Sequence, residues 1–160
     1  MACVLITGMS GTGKSSALAE LARRGHAVVD TDEPGWTEWV KEPSEPGGGE
    51  WLWLEAPIAR LLDSAGADPL FVSGCVRNQG VFYDRFAAIV LLSAPLPVIL
   101  DRVATRATND YGKAPVERRL IEDQVETVEP LLRAGATHEI DATRPLDEVV
   151  AELLGIAGVP

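Results

Sequence analysis

At 160 residues, with 46% apolar and 24% charged side chains, the chain has the size and balance of one globular domain with a full core. A formal net charge of −10 repels polyphosphate chains, which argues against nucleic acid as a partner. Any anion must instead be held by a local cluster of positive groups.

The opening Met1 to Gly8 has no basic region and only a short apolar run, so it does not read as a signal peptide. No later stretch is long enough to span a bilayer. With two cysteines, Cys3 and Cys75, expected at opposite edges of a sheet and unable to bridge, reduced thiols in the cytoplasm are the simplest expectation.

Five β-type runs stand out along the chain: Cys3 to Thr7, His26 to Asp30, Leu70 to Ser73, Ala88 to Ser93 and Thr137 to Asp141. Most are continuously apolar, as parallel strands covered on both faces are. Helical patterns fall between them at Lys14 to Arg24, Trp51 to Ser64 (with Pro57 as a possible kink), Leu96 to Arg106 and Val116 to Leu132, broken near Pro130. A last helix begins near Pro145 and ends before Gly155. Alternating strands and helices predict a doubly wound α/β domain covering 1–160. Pro43 to Gly49 reads as a loop, Arg77 to Phe86 as irregular or briefly helical, and Ala107 to Ala114 as an excursion between helices.

Gly8-Met9-Ser10-Gly11-Thr12-Gly13-Lys14-Ser15 fills every specified position of a Walker A loop, directly after an apolar strand and at the start of an amphipathic helix. Its glycines let backbone N–H groups turn inward at phosphate oxygens. Lys14 adds a point charge near the β- and γ-phosphates, and the Ser15 hydroxyl suits Mg²⁺. Ser10, Thr12 and Ser16 complete the loop and the first helical turn, whose partial positive charge faces the same anion. ATP with Mg²⁺ is the expected ligand pair.

With this loop, the chain resembles the nucleoside-monophosphate-kinase-like P-loop kinases, which include adenylate, shikimate and gluconate kinases. The resemblance covers nearly the whole chain, with Walker A as its specific motif. It implies a three-layer sandwich around a five-stranded parallel sheet in order 2-3-1-4-5. It also implies an acceptor-binding insert at about residues 33–66 and a small lid at about 107–115. Val28-Val29-Asp30-Thr31-Asp32 resembles the Asp-x-Asp of shikimate kinases. By that likeness Asp30 helps hold magnesium beside Ser15, and Asp32 contacts the acceptor hydroxyl; a turn or capping aspartate is the plainer alternative. Ser73 stands where adenylate-kinase-like relatives often have an acid. Gly74 permits close substrate approach, and Arg77 either binds an acceptor anion or is an ordinary surface arginine.

Arg102 and Arg106 lie four apart, on one helix face, and lead into the excursion. They resemble the lid arginines that clamp phosphates, with Lys113 a weaker candidate, and Arg102 and Pro145 resemble the pair that sandwiches adenine. The plainer reading is a helix surface.

Asp32, Glu33, Glu38, Glu42, Glu45, Glu50 and Glu55 face only Lys41 between Thr31 and Ala56, a pattern that favours a neutral or cationic acceptor over an anionic one. Trp36, Trp39, Trp51 and Trp53 fall in the same segment, as core residues or as a stacking wall. His26 and His138 read as structural. The expectation is an ATP-dependent kinase acting on a small-molecule hydroxyl, as a monomer or homodimer, with Lys14, Asp32 and Arg106 as catalytic groups. The alternatives are a nucleoside monophosphate kinase using Arg77, and a nucleotide-binding switch or ATPase with no small-molecule acceptor.

Overall fold

The computed structural model describes residues 3–107 and 109–160. Its central element is the apolar run Cys3–Thr7 (β1), buried at every position. Four further parallel strands complete its sheet, Leu70–Ser73 (β5) and Ala88–Ser93 (β6) beside it and Ala27–Asp30 (β2) and His138–Asp141 (β7) at the edges. The sheet order is β2-β5-β1-β6-β7, which is 2-3-1-4-5 when only the five strands of this sheet are counted.

Alternation along β1 builds two cores. Val4 and Ile6 point to one face, with Leu18 and Leu21 of α1 (Lys14–Arg23), Ile99 and Val103 of α3 (Leu96–Thr105) and Leu153 of α6 (Leu146–Ile156). Cys3 and Leu5 point to the other, with Ile58 and Leu62 of α2 (Glu55–Asp63) and Phe82 and Phe86 around the 3₁₀ segment Arg77–Arg85. Two-sided coverage explains why the central strands read as unbroken apolar runs. Cys3 and Cys75 are both free. They lie at opposite ends of the neighbouring strands β1 and β5, not at opposite edges of the sheet, and the distance between strand ends keeps them apart.

The expected helix from Trp51 to Ser64 is corrected. Gly49–Trp53 (β4) pairs antiparallel with Thr37–Lys41 (β3), forming a separate two-stranded ribbon. Glu50 and Leu52 alternate with Trp51 and Trp53, a period of two that only a strand satisfies, and the proline- and glycine-rich segment 43–48 closes the hairpin. Helix α2 therefore starts at Glu55, which puts Pro57 in its first turn, where no N–H is needed. The pattern from Val116 to Leu132 divides into α4 (Pro115–Thr127) and α5 (Glu129–Gly135), because Pro130 opens a new first turn. The last helix runs through Gly155 to Ile156, with Pro145 at its N-cap.

One buried junction ties the ribbon to the parallel sheet. The Thr31 hydroxyl donates to the Ser73 carbonyl at 2.8 Å and accepts from Trp53 Nε1 at 2.9 Å. The Asn78 side chain holds the Trp53 backbone N–H and carbonyl, each at 3.0 Å. A side chain at position 74 would collide with Thr31 Oγ1 and approach Trp53 Cζ2 to 3.1 Å, so only glycine lets the indole settle there. Gly74→Ala should therefore lower unfolding stability by about 1–3 kcal/mol, as overpacked sites do. Urea denaturation measures this; a midpoint equal to that of the unaltered chain would show the junction to be loose.

Candidate active site

The loop 8–13 joins β1 to α1 at the C-terminal end of the sheet. Gly13 is the N-cap of α1 in the left-handed conformation, with φ +94°, which a residue bearing Cβ would resist. No side chain caps the first amides of α1, so those N–H groups remain available to an anion. Lys14 curls back over the loop and donates to the Gly8 carbonyl at 2.6 Å and the Met9 carbonyl at 3.0 Å. Thr12 is buried and donates to the Met9 carbonyl at 2.8 Å, so it braces the loop from within. Ser10 is half-buried at the loop's surface, while Ser15 and Ser16 are exposed at the start of α1. The conformation and the chemistry of these donors fit a nucleotide polyphosphate, with the Ser15 hydroxyl open to a metal ion.

Charged groups from three other segments converge on Lys14. Burial pushes its ammonium below the ordinary value, with Cys75, Asp32 and Asp30 opposing that shift and Arg106 reinforcing it. Asp30 and Asp32 sit together at the end of β2, where the Asp32 N–H donates to Asp30 Oδ1 at 2.9 Å. The Asp32 carboxyl is raised above the ordinary value, first by loss of hydration among surrounding protein, then by the Asp30 charge, with Lys14 opposing both. A carboxyl so placed is poised to accept a hydrogen bond or a proton. Gly74 and Cys75 lie beside this group, at the end of β5. Ser73 is buried, and its backbone carbonyl accepts from the Thr31 hydroxyl.

Arg102 and Arg106 lie one turn apart on α3, the Arg106 N–H bonded to the Arg102 carbonyl at 3.0 Å, and their side chains reach different partners. Arg102 donates from α3 to the Ala142 carbonyl at 2.6 Å, which brings it to the loop before α6 that holds Pro145, itself exposed. Arg106 caps α3 with extended backbone, because it donates instead to the carbonyls of Asn109 and Tyr111 at 3.1 and 2.7 Å. It thus braces the excursion 107–114, within which Thr108 lies outside the described residues. Lys113 pairs with Asp110 at 3.3 Å. Arg77 is exposed and held by Glu50 of β4, its Nε 2.6 Å from Oε1. His26 packs edge-on to Phe71, a core contact.

Sequence reasoning missed Gln79. It is buried, and its amide donates to Thr7 Oγ1 at 3.1 Å and to the Tyr83 hydroxyl at 2.9 Å, while its oxygen accepts from the Val76 N–H at 3.0 Å. It fastens the chain after β5 to the strand that carries the phosphate loop. A glutamine in a polar, irregular stretch gives no signal of burial.

A family model described as "AAA domain" matches residues 4–128. A nucleotide-binding protein of Gluconacetobacter diazotrophicus is 29% identical over 88% of this chain, and the chain spans 37% of that protein's length. Shikimate kinase 2 of Yersinia enterocolitica is 23% identical, with 96% of this chain and 94% of that protein covered. A crystal structure of a gluconokinase from Sinorhizobium meliloti superposes with a TM-score of 0.64 at 24% identity, over 98% of this chain and 91% of that one. The last likeness shows a shared fold.

The raised Asp32 carboxyl has a stability consequence. Between the unfolded value of 3.8 and the higher folded value, the native state binds more protons than the unfolded state. Stability contributed here is therefore lost as pH rises through that window, an effect that solvent screens because Asp32 is exposed. Asp32→Asn should raise the thermal midpoint at pH 7, and the gain should vanish below about pH 4. Melting curves across pH test this; a midpoint lowered at pH 7 would contradict it.

Proposed function

Because the chain belongs to the AAA-domain family, we propose that it is an ATP-dependent kinase that phosphorylates a hydroxyl of a small-molecule acceptor. The convergence of Asp32, Asp30 and Arg106 on Lys14 of the phosphate loop supports this reading most directly. The kinase names of the relatives from Yersinia and Sinorhizobium support it further. The cytoplasm is its expected place of action.

Bound Mg-ATP supplies the phosphoryl group to be transferred and a cation that offsets its charge. The loop from Gly8 to Gly13, Ser16 and the start of α1 hold the phosphates, and Arg102 and Pro145 flank the base. The Ser15 hydroxyl and the Asp30 carboxylate would hold the metal ion. Lys14 holds the phosphates by charge, and Arg106 adds a second positive group from the lid, about 107–115. Asp32 would orient the acceptor hydroxyl and take its proton as the new O–P bond forms and the bond between the γ-phosphorus and the bridging oxygen breaks, releasing ADP. The ribbon and α2, within about 33–66, wall the acceptor, which approaches past Gly74.

Arg77 separates this reading from a nucleoside monophosphate kinase. Its ion pair with Glu50 gives it a positioning part, fixing the ribbon. Arg77→Ala and Glu50→Gln should then raise the acceptor KM alike, and the double variant no further than either. An Arg77→Ala defect confined to phosphate-bearing acceptors would favour the nucleotide kinase.

Asp32→Asn should reduce acceptor-dependent ADP release by about 100-fold or more while Mg-ATP affinity persists, whereas Lys14→Ala should weaken Mg-ATP binding itself. Coupled ADP-release assays over nucleosides, sugars, hydroxy acids and amino alcohols, with calorimetry for ATP, decide this. ADP release that no acceptor stimulates, unchanged in Asp32→Asn, would sink the proposal in favour of a nucleotide-dependent switch.

A further inference from the structure

Gln79 is almost fully buried, and every polar group of its side chain is used. Its oxygen accepts from the Val76 N–H at 3.0 Å; because a backbone N–H only donates, this contact fixes which way the amide faces. The two hydrogens of its nitrogen then go to Thr7 Oγ1 at 3.1 Å and to the Tyr83 hydroxyl at 2.9 Å. An apolar side chain would fill the same space without the cost of burying an amide. What the glutamine adds is direction, since a satisfied buried network admits one arrangement of the segments it joins.

Those segments belong to the two sides of the candidate active site. Thr7 is buried at the end of β1, directly before the phosphate loop. Gly8 is wedged on the opposite flank, where a Cβ would lie 2.4 Å from the Leu92 carbonyl oxygen of β6. Val76 to Gln79 forms a closed turn, with the Gln79 N–H donating back to the Val76 carbonyl at 3.3 Å. The same turn grips the ribbon: Asn78 binds the Trp53 N–H and carbonyl of β4, and Arg77 pairs with Glu50 of that strand. Residues 77 and 78 thus hold β4, and the next residue holds β1.

We infer that Gln79 is a positioning residue that ties the ribbon to the phosphate loop, so that nucleotide bound at the loop steadies the ribbon. Local opening of the ribbon frees Asn78 and loosens the turn, and the Thr7 contact carries that loosening to the origin of the loop. A nucleotide that requires the loop in its native arrangement raises the cost of such opening. The inference rests on the kinase reading only for the nucleotide at the loop, and no transfer to an acceptor enters it.

The test is amide hydrogen exchange of the full chain, read by mass spectrometry on peptides covering β3 and β4, with and without saturating Mg-ADP. In the unaltered chain Mg-ADP should slow exchange of these peptides by about fivefold or more. Gln79→Met keeps length and bulk without the hydrogen bonds, and Thr7→Val removes only the hydroxyl. Each should cut the slowing to less than about twofold, and the double variant should go no further than either. Thr7→Val carries the comparison should Gln79→Met fail to fold. Calorimetric affinity for Mg-ADP should stay within about threefold, because Thr12 and Lys14 brace the loop independently. A side chain that only filled the core would, when replaced, speed exchange equally with and without nucleotide. That result, or ribbon exchange indifferent to bound Mg-ADP in the unaltered chain, would overturn the inference and leave the kinase reading standing. Slowing that depends on Gln79, in a protein that phosphorylates no acceptor, would overturn the kinase reading alone. Failure to bind Mg-ADP would overturn both.

Discussion

The Thr31 hydroxyl is the point on which the placement of the ribbon depends. It joins the end of β5, through the Ser73 carbonyl, to the Trp53 indole of the ribbon, in a buried site where unmade hydrogen bonds are costly. Its chain neighbours are Asp30 and Asp32. A single short side chain therefore fixes both the register of the ribbon and the position of the carboxylates. Gly74 leaves the room and Asn78 grips the strand backbone, so the junction is determined from three directions.

The phosphate loop is organised in the same economical way. Thr12 braces it from within, Lys14 folds onto its carbonyls, and the uncapped amides of α1 face outward. Gln79 extends that bracing, because it fastens the chain after β5 to Thr7 at the end of β1. Lys14, Asp30, Asp32 and Cys75 thus belong to one mechanically linked group at the C-terminal end of the sheet. Arg106 reaches it from the far side, carried by a cap whose hydrogen bonds hold the excursion rather than a helical turn.

Charge is distributed unevenly around this group. The donor side is positive through Lys14, Arg102, Arg106 and the helix terminus, against a strongly negative chain. The ribbon side carries more acids than bases, and Arg77 there is already paired with Glu50. Under the kinase reading, this asymmetry favours polyphosphate at the loop over the ribbon.

The Walker A loop and the strands of the main sheet were legible in the amino-acid sequence because both rest on local rules, whereas the sheet order came only from the family resemblance. Glycine spacing dictates backbone shape, and unbroken apolar runs dictate strands covered on both faces. The Asp30–Asp32 pair could be singled out for the same reason, as it closes such a run. The ribbon was not legible, since Trp51 to Trp53 adjoins a helical pattern and its strand identity depends on a partner ten or more residues away. Gln79 became buried against Thr7 and Arg77 lost its freedom to Glu50 through contacts between segments distant in sequence, which no local pattern records. The sequence by itself determined a phosphate-binding loop on a parallel sheet. Only tertiary packing decided what stands opposite that loop, because the Thr31 junction forms when three separated segments meet.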